Sequence, residues 1–436
     1  MASPSLQDGI DKAGSPVNLL WKPNAAPFKV PVVPPEFTGW REEQGAWHRA
    51  PTLSDLSHHM SDTFIEGRDS TRLLKSVSAN DYDNFAVGQA KQFIPVTKNG
   101  DIVTDGILLR EEEEKYTLSG VPAAQSWVKY YAEKGGYDVR CATDPDSGTR
   151  RSGAPVLFRY QVQGPRALEL VQRAFGGPLP KTKFFHSVTV TLGDRRIRAL
   201  RHGMLGQAGY EFIGAYEDSE FVKQTLLTAG KEFGLVCIGG LAYATNGIES
   251  GWIPTPTPGI YVAPELAEYR RWLSLYSFEG QKPLHGTFRS EAIEDYYVSP
   301  YELGYGKSIA FNHDFIGREA LEKAAELVKR TKVTLAFNAD DVRNIFGENP
   351  EYTLSYARYR VEGPTGLAGI TFYCGYIYLE RSILGLALVD RRYAAPGTEV
   401  TVLWGEYDSS CHRIRATVQP APYNEFARTQ YRKDSL

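Results

Sequence analysis

The sequence predicts an α+β protein whose C-terminal quarter is a β-domain, and three observations carry that prediction. Strand-type runs and amphipathic helices alternate through most of the chain. Near Lys332 the pattern changes to short strands in close succession. The 436 residues, 42% of them hydrophobic, suffice for a large core and two or three domains.

In chain order, residues 1–35 are rich in Pro and Gly, end in VPVVPPEF, and read as an irregular arm. WREEQGAWHRAP, from Trp40, reads as a short helix stopped by Pro51. TFIEG reads as a strand, and QFIPVTKNGDIVTDGILLR as two strands turning at Asn99-Gly100, a strong hairpin signal. PAAQSWVKYYAEKGG is a helix with a Gly stop, VLFRYQVQGP a strand, PRALELVQRAFGG a helix closed by paired glycines, and SVTVTLGDRRIRALRHG a hairpin. SEFVKQTLLTAGKEFG and HDFIGREALEKAAELVKR carry apolar residues at helical spacing, the latter with Gly317 near its start. Beyond them KVTLAFN, YARYRVEG, GLAGITFYCGYIYLE, ILGLALVD, EVTVLWGE and HRIRATVQP read as strands of a barrel or sandwich.

Bulk properties exclude several functions. With 49 basic and 52 acidic residues the net charge is −3, so polyanions are poor ligands. REEEEK, around Glu111–Glu114, reads as a solvated turn. The mean hydropathy is −0.35, no apolar run has the length of a membrane span, and the first residues lack the layout of a secretion signal. Cys141, Cys237, Cys374 and Cys411 are far apart without a CxxC pair, which argues against a zinc site or disulfide scaffold and for the cytoplasm. GYGKS at Gly304–Ser308 fails as a phosphate loop because Tyr301 stands where its first Gly belongs. No dinucleotide fingerprint, nucleophile elbow or HExxH is present, and the adjacent His58 and His59 cannot readily share a metal on a strand. Chemistry with an organic cofactor, or with none, is what remains, and no metal is expected.

Gly239–Tyr261, GGLAYATNGIESGWIPTPTPGIY, sets Tyr243, Asn246, Glu249 and Trp252 at three-residue steps before a proline ladder. Tyr243 and Asn246, one helical turn apart, can face one cavity, with Glu249 further along that face.

Four segments together resemble the glycine-cleavage T-protein (aminomethyltransferase) family: Leu53–Leu74, RHGMLGQAGYEFIG, GGLAYATNGIESGWIP and Ser299–Leu321, with GLALVDRRYAAPGTEVTVLWGE fitting its last domain. The wording is closer still to the tetrahydrofolate-dependent aryl O-demethylases that act on vanillate and syringate, as in RALRHGMLGQAGYEF, ESGWIPTPTP and IEDYYVSPYELGYG. The resemblance implies three domains around a central folate channel, ending in a β-barrel-like domain. On that basis residues 1–330 form the folate-binding region, as two intertwined α+β subdomains, and 331–436 the β-domain.

The resemblance also implies site residues. Glu211 would accept hydrogen bonds from the pterin amino group and ring N–H. Trp252 would line the folate site with a flat indole. Gln161 would touch folate, with Gln163 the competing assignment, and Phe184 and Phe185 would wall the channel. Tyr243 would stand beside the reacting carbon, where a phenol can stabilise a departing phenoxide. His59 would meet the substrate. For each of these the residues alone leave an ordinary structural role open. Asp105 corresponds to the second Asp of the aminomethyltransferase pair, and Thr104 replaces the first, which weighs against amine chemistry.

Three positions depart from the vanillate-type pattern. Val121 replaces the arginine that pairs with the substrate carboxylate, Val30 replaces a tyrosine, and Leu56 replaces a glutamine. An unpaired carboxylate in an aliphatic pocket is costly, on the order of several kcal/mol. The expectation is a neutral aromatic ether, either a methoxyarene or a methylenedioxy compound of the sesamin type, with 5-methyl- or 5,10-methylenetetrahydrofolate as product. An aryl carboxylate is the alternative. Two readings from other classes are a non-catalytic folate-binding protein of the same fold and a flavin-linked dehydrogenase module; Tyr243 beside Glu211 and Trp252 speaks against the first, and the missing dinucleotide fingerprint against the second.

Overall fold

A computed structural model describes residues 3–433, which form three sheets with helices packed against them. The five-stranded sheet is antiparallel, with Ala90–Phe93, Gly106–Glu112, Lys115–Gly120, Ser61–Glu66 and Arg140–Asp144 side by side. Pro122–Lys134 and Ser70–Val77 pack with it in the largest apolar cluster, around Trp127, Phe93 and Tyr116. The Asn99-Gly100 turn is present with Gly100 at φ +84°, but it tops a loop held by a Val96–Ile102 bridge rather than a tight hairpin.

The six-stranded sheet has the order Val236–Ile238, Thr52–Asp55, Leu157–Gln163, Gly209–Ala215, Arg195–Leu200, Ser187–Leu192. Its two faces differ because side chains alternate along a strand. Phe158, Tyr160 and Val162 point with Phe212 to a core that also includes Leu170, Val171, Val222 and Leu226 of two covering helices. Arg159, Gln161 and Gln163 therefore point the other way, and all three are buried.

Residues from Arg330 onward form the third sheet. Gly366–Ile377, Arg360–Gly363, Glu399–Trp404, His412–Gln419, Arg330–Phe337 and Ser382–Asp390 pair in that order, and the last pairs with the first, closing a six-stranded barrel with Leu354–Ser355 added to its rim. Val333, Leu335, Phe337, Ala387 and Val389 share one core cluster, while Leu384, Leu386 and Leu388 pack with Ile102, Ile248, Ile253 and Leu303 from the earlier part of the chain. One strand face thus fills the barrel and the other docks it.

Three local expectations are corrected. The first thirty-five residues are not irregular throughout: Leu6–Ala13 and Pro16–Leu20 are helices. Ser5 and Asp8 form a capping box and Gly14 closes the first helix at φ +79°, signals that the Pro and Gly content masked. The helix in HDFIGREALEKAAELVKR is confined to Arg318–Ala324, because Gly317 is its N-cap at φ +88°. A further helix, Ala339–Phe346, interrupts the β-domain, capped by Asn338. Among the described residues no helix is long and apolar enough to cross a membrane.

Candidate active site

Neighbouring strands of the six-stranded sheet place Ser54, Gln161 and Glu211 in one row, with Ser54 opposite Gln161 and Gln161 opposite Glu211. All three are buried. Gln161 Oε1 accepts from Met204 N–H at 3.1 Å, which leaves its Nε2 without a partner; Ser54 Oγ also has none. Gln163, by contrast, is used up at both ends: its Oε1 accepts from Leu205 N–H at 3.0 Å and its Nε2 donates to Gln207 O. The geometry separates two residues that were interchangeable in the sequence: Gln161 has an amide to offer a ligand and Gln163 does not.

Glu211 Oε1 accepts from Arg159 Nη1 at 2.9 Å, and Arg159 Nη2 reaches Asp62 Oδ1 at 2.8 Å and Ser119 Oγ at 2.6 Å across to the five-stranded sheet. Burial opposes the charge on Arg159, but Asp62 and Glu211 more than offset it and raise its proton affinity. One guanidinium held by two carboxylates fixes the Glu211 side chain and joins the two sheets. Glu211 Oε2 lies outside that pair.

Tyr243 ends the short helix Gly240–Tyr243, and its hydroxyl is 3.2 Å from His59 Nε2, with the rings 5.0 Å apart. Burial raises the Tyr243 pKa, and the charge of Glu211 adds to it, so the phenol keeps its proton through the neutral range. Burial, reinforced by Arg159, pulls His59 down to about 4, so its ring is neutral. Its Nδ1 is buried without a partner. Leu56 and Val30 belong to the same apolar cluster as Tyr243, together with Met60 and Met204. Val30 packs on Gly240, whose missing Cβ would stand 3.2 Å from Val30 Cβ. Val121 is not part of that cluster; it is the half-buried N-cap of Pro122–Lys134, two residues beyond Ser119.

In a separate cluster, Trp252 Nε1 donates to Asp105 Oδ2 at 2.9 Å, and Gln92 Nε2 (2.6 Å) and the Tyr305 hydroxyl bond the same oxygen. Burial raises the Asp105 pKa against the pull of these three donors, and Asp105 Oδ1 and Thr104 Oγ1 are buried without partners. Lys332, reaching in from the barrel with Nζ 5.9 Å from the Tyr305 ring, is lowered to about 8 by burial. The Phe184 and Phe185 rings are tilted by 32° with centroids 4.4 Å apart, and Phe185 lies 4.9 Å from His202.

The Gly239–Tyr261 stretch is more divided than its spacing suggests. The helix breaks at Ala244–Thr245 and restarts at Asn246–Ser250, and Asn246 Nδ2 turns back to Tyr243 O. Glu249 does not follow Tyr243 along one face. It takes hydrogen bonds from Trp47 Nε1 at 3.2 Å and pairs with His48 Nε2 at 3.1 Å, a structural role. Arg159, Ser54, Tyr305 and Lys332 were missed in the sequence. The period-two polar face of RYQVQ signalled Arg159, whereas the other three come from distant segments.

Gln161 Nε2 and Ser54 Oγ are thus buried without partners on neighbouring strands, in the row that also holds Glu211. Residues 23–255 match the family model described as the GCVT N-terminal domain. The chain is 36% identical to syringate O-demethylase of Sphingobium sp. (strain NBRC 103272 / SYK-6), covering 98% of this chain and 97% of that protein. It is 30% identical to sesamin methylene transferase of Sinomonas sp. (strain No.22), over 90% of each. Glycine cleavage system aminomethyltransferase T from Bartonella henselae has the same fold, with TM-score 0.65 at 16% identity over 95% of this chain and 96% of that one.

Proposed function

The chain belongs to the GCVT aminomethyltransferase family, and from that premise we propose that it is a tetrahydrofolate-dependent enzyme that takes a one-carbon unit from an aromatic ether and releases a phenol. The observation that carries this reading is a buried phenol, Tyr243, whose charge state is influenced by Glu211, the end of a buried row in which Ser54 Oγ and Gln161 Nε2 have no partner. Tetrahydrofolate, when bound, supplies the nucleophilic nitrogen that takes the carbon. Glu211 and Gln161 would hold its pterin edge, and Trp252 would line its ring system. Tyr243 would hold its proton against the ether oxygen, which keeps the electron pair of the breaking C–O bond, so charge growing there is stabilised as the phenol leaves. His59, neutral and 3.2 Å from the Tyr243 hydroxyl, would donate its Nε2–H to that oxygen and so leave the phenol proton for the ether.

For the substrate, 36% identity over 98% of the chain favours a methoxyarene of the syringate type, giving the methylated folate. A second reading rests on the cluster around Tyr243: Val30 and Leu56 there are aliphatic, and Arg159, the cation acting on His59, is already shared by two carboxylates. That arrangement suits a neutral ether, including a methylenedioxy compound. Turnover of syringate, vanillate, their methyl esters and sesamin, each with tetrahydrofolate and read as methyl- or methylene-folate, separates the readings. A preference for the acids supports the first, and a preference for the neutral compounds supports the second. No folate product from any member overturns both.

A further inference from the structure

The segment after the barrel touches both walls of the folate site proposed above. At its start Pro422 packs on Gly251, next to Trp252, where an added Cβ would meet Pro422 Cα at 2.9 Å, and Asn424 N–H donates to Glu249 O at 3.3 Å. One helical turn on, Ala427 fills the space at Gly206, which sits at φ +64° and whose Cβ would come within 2.8 Å of Ala427 Cβ. At its far end the Tyr431 hydroxyl accepts from Gly203 N–H at 2.7 Å and donates to Gly203 O, while its ring stands edge-on to Phe184 at 5.0 Å. Arg201 Nη2 donates to Lys433 O at 2.6 Å.

The loop held in this way is the one that sets the glutamines. Met204 N–H, next to Gly203, fixes Gln161 Oε1, and the following Leu205 N–H and Gln207 O fix Gln163. Orienting Gln161 by its oxygen is what turns Nε2 toward the ligand. A hydroxyl that accepts from Gly203 N–H and donates to Gly203 O holds the peptides on both sides of that glycine, and the second of these carries Met204 N–H. We infer that Tyr431 is a positioning residue for folate: it acts through Gly203 and Met204 on Gln161, and the strap 422–433 couples that wall to the Trp252 turn. This rests on the folate reading of the site.

The test is a double-mutant cycle on the full chain, with tetrahydrofolate dissociation constants from titration calorimetry. Tyr431→Phe, which keeps the ring and loses both hydroxyl bonds, should weaken binding about five- to tenfold. The loss should appear in KM for tetrahydrofolate rather than in kcat. In a Gln161→Ala background the same change should have no further effect. An equal loss in both backgrounds, or none in the first, overturns the inference. Absence of binding to the unsubstituted protein overturns the folate reading itself, which is a separate failure.

Discussion

At the Glu211 end of the site, three strands, a two-carboxylate arginine clamp and a strapped loop fix the Glu211 and Gln161 side chains. At the Tyr243 end the phenol hydroxyl has a single described partner, His59, and the surrounding side chains are apolar. The contrast teaches how the two ligands would be read. A co-substrate of constant shape rewards preorganised donors and acceptors, whose misplacement is penalised by desolvation. A variable aromatic partner is accommodated by apolar contacts, which discriminate weakly.

The comparison can be broken most sharply at Tyr243. Tyr243→Phe should lower kcat about 10²- to 10³-fold while tetrahydrofolate affinity, measured by calorimetry, stays as it was. A loss of affinity equal to the loss of rate would put Tyr243 in the folate half instead. Glu211→Ala should do the reverse, weakening folate binding about 10- to 100-fold. It should also lower stability by on the order of 3 kcal/mol in chemical denaturation, because Arg159 is left with Asp62 alone in a buried place. Val121→Arg should raise kcat/KM for aryl carboxylates over their methyl esters by about tenfold; an unchanged ratio would mean that residue 121 does not face the ring substituent.

The smallest effect concerns pH. His59 binds a proton at about 4 in the folded chain against 6.5 when exposed, so between these values the unfolded state holds more protons. Stability should therefore fall as pH drops from 6.5 toward 4 and be flat above it. His59→Gln should shallow that slope in melting curves. A slope identical to that of the unsubstituted protein would show His59 to be charged or exposed.

Much of this was legible in the sequence, for physical reasons that vary by residue. The strands and their polar face follow from period-two alternation in RYQVQ, which works because a strand exposes its sides one residue at a time. The helix at Leu6 was hidden, since its Ser5–Asp8 box and Gly14 cap look like turn composition to a reader counting Pro and Gly. Glu249 misled for the opposite reason: three-residue spacing implies one face only if the helix is continuous, and here it breaks at Thr245.

By itself the sequence determined the fold class, the family, and the residue types any site could use, because those follow from local pattern and matching segments. Only the tertiary structure decided which of two equivalent glutamines is free, that Arg159 bridges Glu211 and Asp62, and that residues near 431 steady a loop near 203. Each depends on pairs more than forty positions apart in the chain. Hydrogen bonding is a property of the partner as much as of the residue, and the partner is chosen by folding.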